Sequence, residues 1–454
     1  MGWKLKVSGY GKIENAEIEM APLTLFVGDN NSGKSYLMSL LWGIQNFGMT
    51  ELMNGGYKEG AAEEKELTKW FRKQITVAWE RGIYTVGVSE ISSILQSILD
   101  KGLKRNKNRL VRKIFNSDDL GIEKLQIELK DLDEVSLHFV KVKDPANGKK
   151  GMLSIRSNYE NSYMMSFWKE EVDEIDELLG WEIVNLLLGL VMNIDISDMG
   201  NVNNEIYLPA ARTGFMLTKD IVNKVGRNTV FNINMQESKI TPFVRPINQF
   251  LDVMNDLAFD SEGDEKFKEV TAYLENGMAE GLIEMSTLPN REVLYVPEGL
   301  ESGIPLRVVS AVVTELSPLI LILKHKKNLK TLFYEEPEMC LHPQLQQKMA
   351  RVICQLVNTD LRMIVTTHSD IILQHINNMI RLSEREDIQE LCSQFGYNAT
   401  DMLNAENVRV YQLKSENGEK TKVEEIVCGK NGFAIPTFNE ALDKIMDEAY
   451  SIQE

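Results

Sequence analysis

A glycine-rich segment near the start of the chain constrains its fold more than any other feature. Its eight residues are Gly28, Asp29, Asn30, Asn31, Ser32, Gly33, Lys34 and Ser35. They fit the P-loop pattern G-x-x-x-x-G-K-[ST] at every required position. Residues 23–27 form an apolar run that predicts a buried strand, and residues 36–42 are apolar at helical spacing. Strand, glycine loop and helix in this order are the context that the pattern requires, so the segment predicts a phosphate-binding loop.

The residue types of the loop suit a triphosphate. Gly28 and Gly33 allow the backbone N–H groups to point at phosphate oxygens, and the following helix presents its positive end to the same anion. Lys34 is predicted to contact the β- and γ-phosphates, and the hydroxyl of Ser35 is predicted to contact Mg²⁺. The loop predicts that a triphosphate binds, whereas hydrolysis needs further groups.

Two carboxylates follow a second apolar run. Residues 331–334 predict a buried strand that leads directly into Glu335 and Glu336. An α/β sheet binds its ligand at the carboxyl ends of its strands, so these side chains are expected beside the P-loop. Glu335 is predicted to hold Mg²⁺ through water, and Glu336 to act as the base or to orient the attacking water.

A histidine follows a third predicted strand, residues 362–366. His368 comes about 30 residues after the carboxylates, and a histidine at a strand end of this kind is predicted to contact the γ-phosphate or the attacking water. His368 is therefore a candidate catalytic residue together with Glu336. The other four histidines show no metal-ligand spacing.

The three motifs resemble those of the ABC-type ATPases of the SMC, RecF and OLD group. They read GDNNSGKS at 28–35, FYEEPEMCLHP at 333–343 and TTHSD at 366–370. They are more closely similar to the single-chain AAA family ATPases of bacterial defence islands. About 300 residues separate Ser35 from Glu335, which resembles the long insertion between the half-sites in this group. The resemblance implies ATP and Mg²⁺ as cofactors, and ATP hydrolysis with slow turnover.

The resemblance also implies a fold class and a division of the chain. The expected fold is α/β, an ABC-type P-loop ATPase head with a mixed sheet, plus a helical and β-containing insertion lobe. Residues 1–47 and 290–454 are assigned to the head, and residues 48–289 to the lobe.

Hydrophobic spacing predicts the elements of the lobe. Helical spacing dominates from about 48 to 115 and from 215 to 285. Period-two alternation at 121–158 predicts antiparallel strands, and the acidic residues 170–179 predict a helix with a solvated face. In the head, Asn-Gly at 417–418 between two alternating runs predicts a hairpin.

A signature segment that caps the nucleotide of a second subunit is a further implication of the resemblance. The candidate segment is residues 310–316, in which Ser310 would contact that nucleotide and Glu315 is a second candidate. The segment lacks the second serine and the glycine common in relatives, and the chain has no LSGGQ sequence. Two subunits would then enclose two ATP molecules. Arg212 lies in a further segment that is similar to defence ATPases. One interpretation is that Arg212 contacts phosphate or a partner chain, and the other is that it is a surface arginine.

Charge and composition limit the classes of partner. The net charge of −17 argues against a protein that coats DNA through a basic face, although a local basic patch remains compatible with it. The basic run 101–113 is either a solvated helix end or a contact for phosphates or an acidic partner. Four scattered cysteines indicate neither a zinc site nor a disulfide frame, and predict a reducing compartment. With no apolar segment of spanning length and no signal peptide, a cytoplasmic protein without membrane contact is expected.

These features predict an ATPase subunit that resembles those of PARIS-type and Septu-type antiphage systems. The expected partners are further copies of the chain, at least a dimer, and a separate effector, a nuclease or toxin; a phage-encoded trigger is a further candidate. After His368 the sequence has no D-x-D cluster, so cutting is assigned to the partner. Two alternatives stay open: a RecF-like DNA-repair or DNA-loading ATPase, and an ATP-stabilised scaffold with negligible turnover.

Overall fold

The structure of the chain is a computed structural model. It describes residues 3–48, 62–143, 151–159, 164–168, 180–194, 204–218, 243–257, 262–286, 292–415, 420–434, 446–448 and 450–452. These residues belong to two compact units. The first unit comprises Met1–Met20 and Leu40–Val202, and the second, here called the P-loop unit, comprises Ala21–Ser39 and Asn203–Glu454.

The regular elements are numbered in chain order. The strands are β1 (Trp3–Tyr10), β2 (Ile13–Glu19), β3 (Leu23–Gly28), β4 (Ile83–Gly87), β5 (Ile122–Leu129), β6 (Ser136–Lys143), β7 (Gly151–Ser157), β8 (Met164–Trp168), β9 (Glu205–Leu208), β10 (Gly281–Met285), β11 (Val293–Pro297), β12 (Ile304–Pro305), β13 (Thr331–Glu335), β14 (Arg362–Thr367), β15 (Val408–Ser415) and β16 (Thr421–Ile426). The helices are α1 (Lys34–Gly43), α2 (Ala62–Arg81), α3 (Ser92–Phe115), α4 (Gly180–Met192), α5 (Arg245–Asp256), α6 (Lys268–Leu274), α7 (Ala311–His325), α8 (Pro343–Asn358), α9 (Asp370–Ser383) and α10 (Ile388–Phe395). A further short helix covers residues 212–218.

A mixed sheet forms the centre of the P-loop unit. Its strand order is β16-β15-β3-β14-β13-β9. The pairs from β15 to β9 are parallel, and β16 is antiparallel to β15. Every residue of β3 is buried, as expected of a central parallel strand covered on both faces. The predicted α/β class with a mixed sheet is therefore confirmed.

Helices cover one face of this sheet. Leu23, Leu25 and Val27 of β3 belong to a buried apolar cluster that includes side chains of α5 to α9. Two of these helices have favourable residues at their N-termini. Ser310 caps α7 by accepting a hydrogen bond from the N–H of Val313 at 3.4 Å, and Pro343 occupies the first turn of α8.

The first unit contains two antiparallel sheets. One has the order β5-β1-β2 and the other the order β4-β6-β7-β8. Three strands therefore form within the alternating segment 121–158, as predicted, but they divide between two sheets. The predicted helical stretch 48–115 contains α2 and α3 and is interrupted by β4, which the sequence did not indicate.

The two units differ from the head and lobe that the sequence suggests. β9 pairs with β13, so residues after 203 belong to the P-loop unit. β1 and β2 belong to the first unit, where β1 pairs with β5. The predicted hairpin of β15 and β16 is confirmed. Its Asn-Gly turn and the acidic segment 170–179 lie outside the described residues.

Each helix in the described ranges is too short or too polar to cross a bilayer.

The amide of Asn377 ties the C-terminal segment to α9. This buried side chain donates to the carbonyl oxygen of Phe433 at 2.6 Å and accepts from the N–H of Phe433 at 2.8 Å. A Cβ atom on Gly432 would lie 2.3 Å from the Asn377 Oδ1 atom, so the contact requires glycine there.

We expect Asn377→Ala to lower the free energy of unfolding by about 2 kcal/mol, because the backbone groups of buried Phe433 lose their partners. Urea unfolding of the full chain measures the change. The matched control is Asn378→Ala at the adjacent, less buried position, where we expect less than about 0.5 kcal/mol. Equal losses in the two variants would contradict the anchoring role of Asn377.

Candidate functional site

The P-loop starts at the end of β3, where Gly28 lies against Leu413 of β15. Gly28, the last residue of β3, has φ 141°, and a Cβ atom there would lie 2.3 Å from the carbonyl oxygen of Leu413. Glycine is required for both reasons. Asn31 and Gly33 also have positive φ, and the chain then enters α1 at Lys34. The loop thus wraps around the N-terminus of α1, where backbone N–H groups attract anions.

The ammonium group of Lys34 is held inside the loop. Its Nζ atom donates to the carbonyl oxygens of Gly28 at 3.0 Å and Asp29 at 2.8 Å. The side chain is only 5% exposed. Burial lowers the pKa of Lys34 to about 8, although the nearby carboxylates, Glu336 first among them, oppose this shift. The acceptors at Gly28 and Asp29 are both backbone carbonyls, so the ammonium lies within the predicted phosphate-binding loop.

The two predicted carboxylates occupy different environments at the end of β13. Glu335 is buried, and its Oε2 atom accepts from the N–H of Ala210 at 2.9 Å. Its Oε1 atom has no hydrogen-bond partner among the described residues. Glu336 has a left-handed φ of 43°, and its N–H donates to the carbonyl of Thr366 at 2.9 Å. Burial, with the charge of Glu335, raises the pKa of the Glu336 carboxyl, which suits a general base.

His368 lies beside Glu336. Its Nε2 atom is 3.7 Å from Oε1 of Glu336. Burial first, and then the positive charge of Lys34, lowers the pKa of His368, which favours the neutral imidazole. A neutral imidazole can both donate and accept a hydrogen bond, so it can orient a water molecule between these groups.

Glu338 fixes the loop that carries His368, and the sequence reasoning did not assign it a role. Its carboxylate accepts from the N–H of His368 at 2.6 Å and from the hydroxyl of Thr367 at 2.9 Å. Burial is the main cause of the raised pKa of Glu338. The sequence feature that could have indicated this role is the position of Glu338, a third glutamate that lies two residues after Glu336.

The site residues predicted from the sequence are brought together only in part. Lys34, Glu335, Glu336 and His368 lie at the carboxyl ends of adjacent parallel strands. Ser310 is exposed and caps its own helix. Within the described ranges no hydrogen bond joins Ser310 to the P-loop, and its contact with a second subunit's nucleotide stays a prediction.

Arg212 is a buried residue of the P-loop unit, with no exposed surface. The surface alternative is therefore wrong. Its guanidinium donates to the carbonyl oxygens of Glu335 at 2.5 Å and Glu336 at 3.1 Å. Glu315 forms an ion pair with it and is also buried. Neither side chain is available to a partner chain.

The residues present fit a magnesium nucleotide. Mg²⁺ usually binds one or two protein carboxylates together with phosphates and water. The unpartnered Oε1 of Glu335 and the exposed hydroxyl of Ser35 at the start of α1 supply protein oxygens of this kind. Over the described ranges no group of three or more His, Cys, Asp or Glu side chains could hold a metal ion. The four cysteines are free thiols.

Comparisons with known proteins give one family and several solved structures. The sequence model described as AAA ATPase domain matches residues 3–373. No curated protein matches the chain. Similar solved structures include an Smc head bound to the C-winged helix domain of ScpA, with 13% identity, a TM-score of 0.38 and coverage of 94% of this chain and 98% of that one. Another is an Smc head with an extended coiled coil bound to the C-terminal domain of ScpA from Pyrococcus furiosus, with 12% identity, a TM-score of 0.38 and 99% of both chains covered. A third is the SMC head domain from Thermotoga maritima, with 12% identity, a TM-score of 0.33 and coverage of 94% and 99%.

We expect Gly28→Ala to lower the free energy of unfolding by about 3 kcal/mol, because it combines an unfavourable φ with a backbone collision. The affinity of Gly28→Ala for a fluorescent ATP analogue should also fall, because the P-loop must shift to make room for the added Cβ atom. The matched control is Gly299→Ala, where φ is 81° and no atom lies within 4 Å of the added Cβ. That variant should lose about 1 kcal/mol and keep its affinity. Wild-type affinity in Gly28→Ala would refute the requirement for glycine.

Proposed function

Because the chain belongs to the AAA ATPase domain family, we propose that it binds ATP and Mg²⁺ at residues 28–35 and hydrolyses ATP. The observation that carries this proposal is the convergence of Lys34, Glu336 and His368. β3 pairs with β14 and β14 with β13 in parallel register, so the three residues follow neighbouring strand ends. Ligands of α/β sheets bind at this edge.

Binding uses the loop and Lys34. The backbone N–H groups of residues 28–35 and the N-terminus of α1 bind phosphate oxygens, and Lys34 donates to the β- and γ-phosphates. The oxygens of Ser35 and Glu335 would hold Mg²⁺, which neutralises charge on the phosphates when bound. The buried position of Lys34 supports this role, because its ammonium interacts more strongly where water is excluded.

Hydrolysis uses Glu336 and His368. Glu336 takes the proton that the attacking water loses, for which its raised pKa is favourable. His368 orients that water or a γ-phosphate oxygen through its neutral imidazole. Glu338 holds the backbone of His368 in place. Catalysis of phosphoryl transfer depends mostly on positioning of the reacting groups. Because a second subunit would complete that positioning, turnover by a single chain is slow.

ATP acts as a switch for assembly in this proposal. Ser310 is exposed at the N-terminus of α7, a helix of 15 residues, and such an end can bind the phosphate of a nucleotide held by another copy. ATP stabilises the dimer or larger oligomer in so far as it binds that state better than the free chain. Hydrolysis then releases the assembly.

The biological role is proposed from the sequence resemblance. The chain would act in the cytoplasm of a bacterium as the ATPase subunit of an antiphage system. It would hold a separate effector, a nuclease or toxin, and release it in response to a phage-encoded trigger. Copurification with the product of a neighbouring gene, with and without ATP, tests the effector.

We expect Lys34→Ala to abolish ATP binding and Glu336→Gln to retain it. In Glu336→Gln, phosphate release should fall by about 10²–10⁴-fold, because the base is lost while the phosphate contacts remain. Light scattering should show this variant trapped in its ATP-bound assembly. The control is Glu301→Gln at an exposed position, with wild-type turnover. Turnover at the wild-type rate in Glu336→Gln would disprove the role of Glu336.

A DNA-loading ATPase is the second candidate, favoured by one face of α3. Lys104 and Arg105 are exposed there and have no ion pair among the described residues. Lys101 and Arg112 at either side are paired with Glu63 and Asp118. Lys104 and Arg105 are thus two exposed cationic side chains on this face that could meet phosphates.

This second function predicts DNA binding that weakens with salt and depends on Lys104 and Arg105. Replacing both by Glu should make the slope of log affinity against log salt shallower by about 2. Fluorescence anisotropy with duplex and single-stranded DNA, with and without ATP, measures the slope. As a control, phosphate release by the double variant should stay unchanged. If the wild-type chain does not bind DNA even at low salt, this second function is ruled out.

A further inference from the structure

The buried guanidinium of Arg212 holds the backbone at both carboxylates. Its NH1 group donates to the carbonyl oxygens of Pro209 at 2.8 Å and Glu335 at 2.5 Å, and its NH2 group donates to that of Glu336 at 3.1 Å. The side chain is 0% exposed. Arg212 therefore joins the residues after β9 to the end of β13 through three backbone oxygens.

The same guanidinium is anchored on its other side by α7. Glu315 forms a buried ion pair with it, and the Oε2 atom of Glu315 accepts from the N–H of Thr213 at 3.1 Å and from its hydroxyl at 2.8 Å. The ring of Tyr334 lies 4.7 Å from the guanidinium carbon. The Glu315 carboxylate and the Tyr334 ring thus fix the orientation of the guanidinium. The N–H and the hydroxyl of Thr213 in turn hold the Glu315 carboxylate in place.

The backbone that Arg212 contacts needs such support. Glu336 has a φ of 43°, and a residue other than glycine keeps a left-handed backbone only where its surroundings enforce it. The N–H of Ala210 also fixes the Oε2 atom of Glu335. Residues 209–213 therefore control the side chain of Glu335 and the carbonyls of both glutamates.

We propose that Arg212 is a positioning residue for Glu335 and Glu336, and that its ion pair with Glu315 couples them to α7. Since α7 begins directly after Ser310, a contact made at Ser310 changes the placement of the base through Glu315 and Arg212. The inference rests on the proposed ATP hydrolysis. It adds an internal connection between the surface predicted to meet a second copy and the groups that carry out the reaction.

The test compares two conservative variants of buried ion pairs. Lysine at position 212 keeps the charge opposite Glu315 but lacks the planar fork that reaches several carbonyls. In Arg212→Lys we expect the Kd for ATP and the KM to stay within about 2-fold. The kcat should fall by about 10- to 100-fold, because the base is displaced.

The matched control is the pair Arg351–Asp401. It lies in the same unit, its side chains are 16% and 0% exposed, and Arg351 contacts Tyr273, Tyr397 and Gly396 but no residue of the site. Asp401→Asn should lower the Tm while kcat stays at the wild-type value. If Arg212→Lys does not fold, Thr213→Val removes one donor to Glu315 and should lower kcat by a few-fold at unchanged KM.

Coupling through α7 is measured by a double-mutant cycle of Ser310→Ala and Glu315→Gln. If both act on the same connection, the loss of kcat in the double variant is smaller than the product of the two single losses. Losses that multiply would overturn the coupling.

The outcomes separate this inference from the proposed function. If the wild-type chain binds ATP without turnover, hydrolysis is refuted and the positioning role falls with it. If the wild-type chain turns over ATP and Arg212→Lys has the same kcat, the positioning role alone is overturned. A kcat loss in Asp401→Asn as large as in Arg212→Lys would also overturn it, since loss of stability would then account for both.

Discussion

The parallel pairing of β3 with two strands from the last quarter of the chain is the constraint on which the site depends. Val27 is paired with Thr367 of β14 and with Gln412 of β15, and Gly28 is paired with Leu413. This register brings the P-loop level with the loop that carries His368. The close approach at Leu413 is compatible only with glycine at position 28. All six residues of β3 are buried, so a slip by one residue would exchange the side chains of its two packed faces, and in one direction it would place Val27 instead of Gly28 against Leu413.

Burial shifts the pKa of four titratable groups of the site in the direction that favours the neutral form of each. It lowers the pKa of Lys34 and His368 and raises the pKa of Glu336 and Glu338, and it is the largest cause in each case. Each group is moved toward its neutral form, while attraction between Lys34 and the carboxylates opposes the shift for Lys34. A site with this balance gains from a ligand that brings both anionic oxygens and a cation, since each then faces an opposite charge in a region of low dielectric.

The strands and loops of the site could be predicted because their signals are local. β3, β13 and β14 are short apolar runs followed by polar residues of the types that bind phosphate or metal. Other features depend on distant contacts. β4 was missed because it is only five residues long and lies between two long helices, although Ile83, Tyr84 and Val86 are residue types common in strands. β5 and β6 alternate in the same way but pair with different strands. The ion pair of Arg212 joins residues about 100 positions apart, and nothing near Arg212 in the sequence indicates burial.

The ion pair of Arg212 and Glu315 is difficult to explain by stability alone. Moving both charges out of water has a large cost, and apolar side chains of similar size are often as stable in such a place. An apolar side chain cannot donate hydrogen bonds, however, whereas the guanidinium reaches the carbonyl oxygens of Pro209, Glu335 and Glu336 at once. Without these donors the left-handed backbone at Glu336 would lose its support and the carbonyls would stay buried without partners. The pair is therefore best explained by the geometry that it imposes on the end of β13, which carries the two carboxylates of the proposed site.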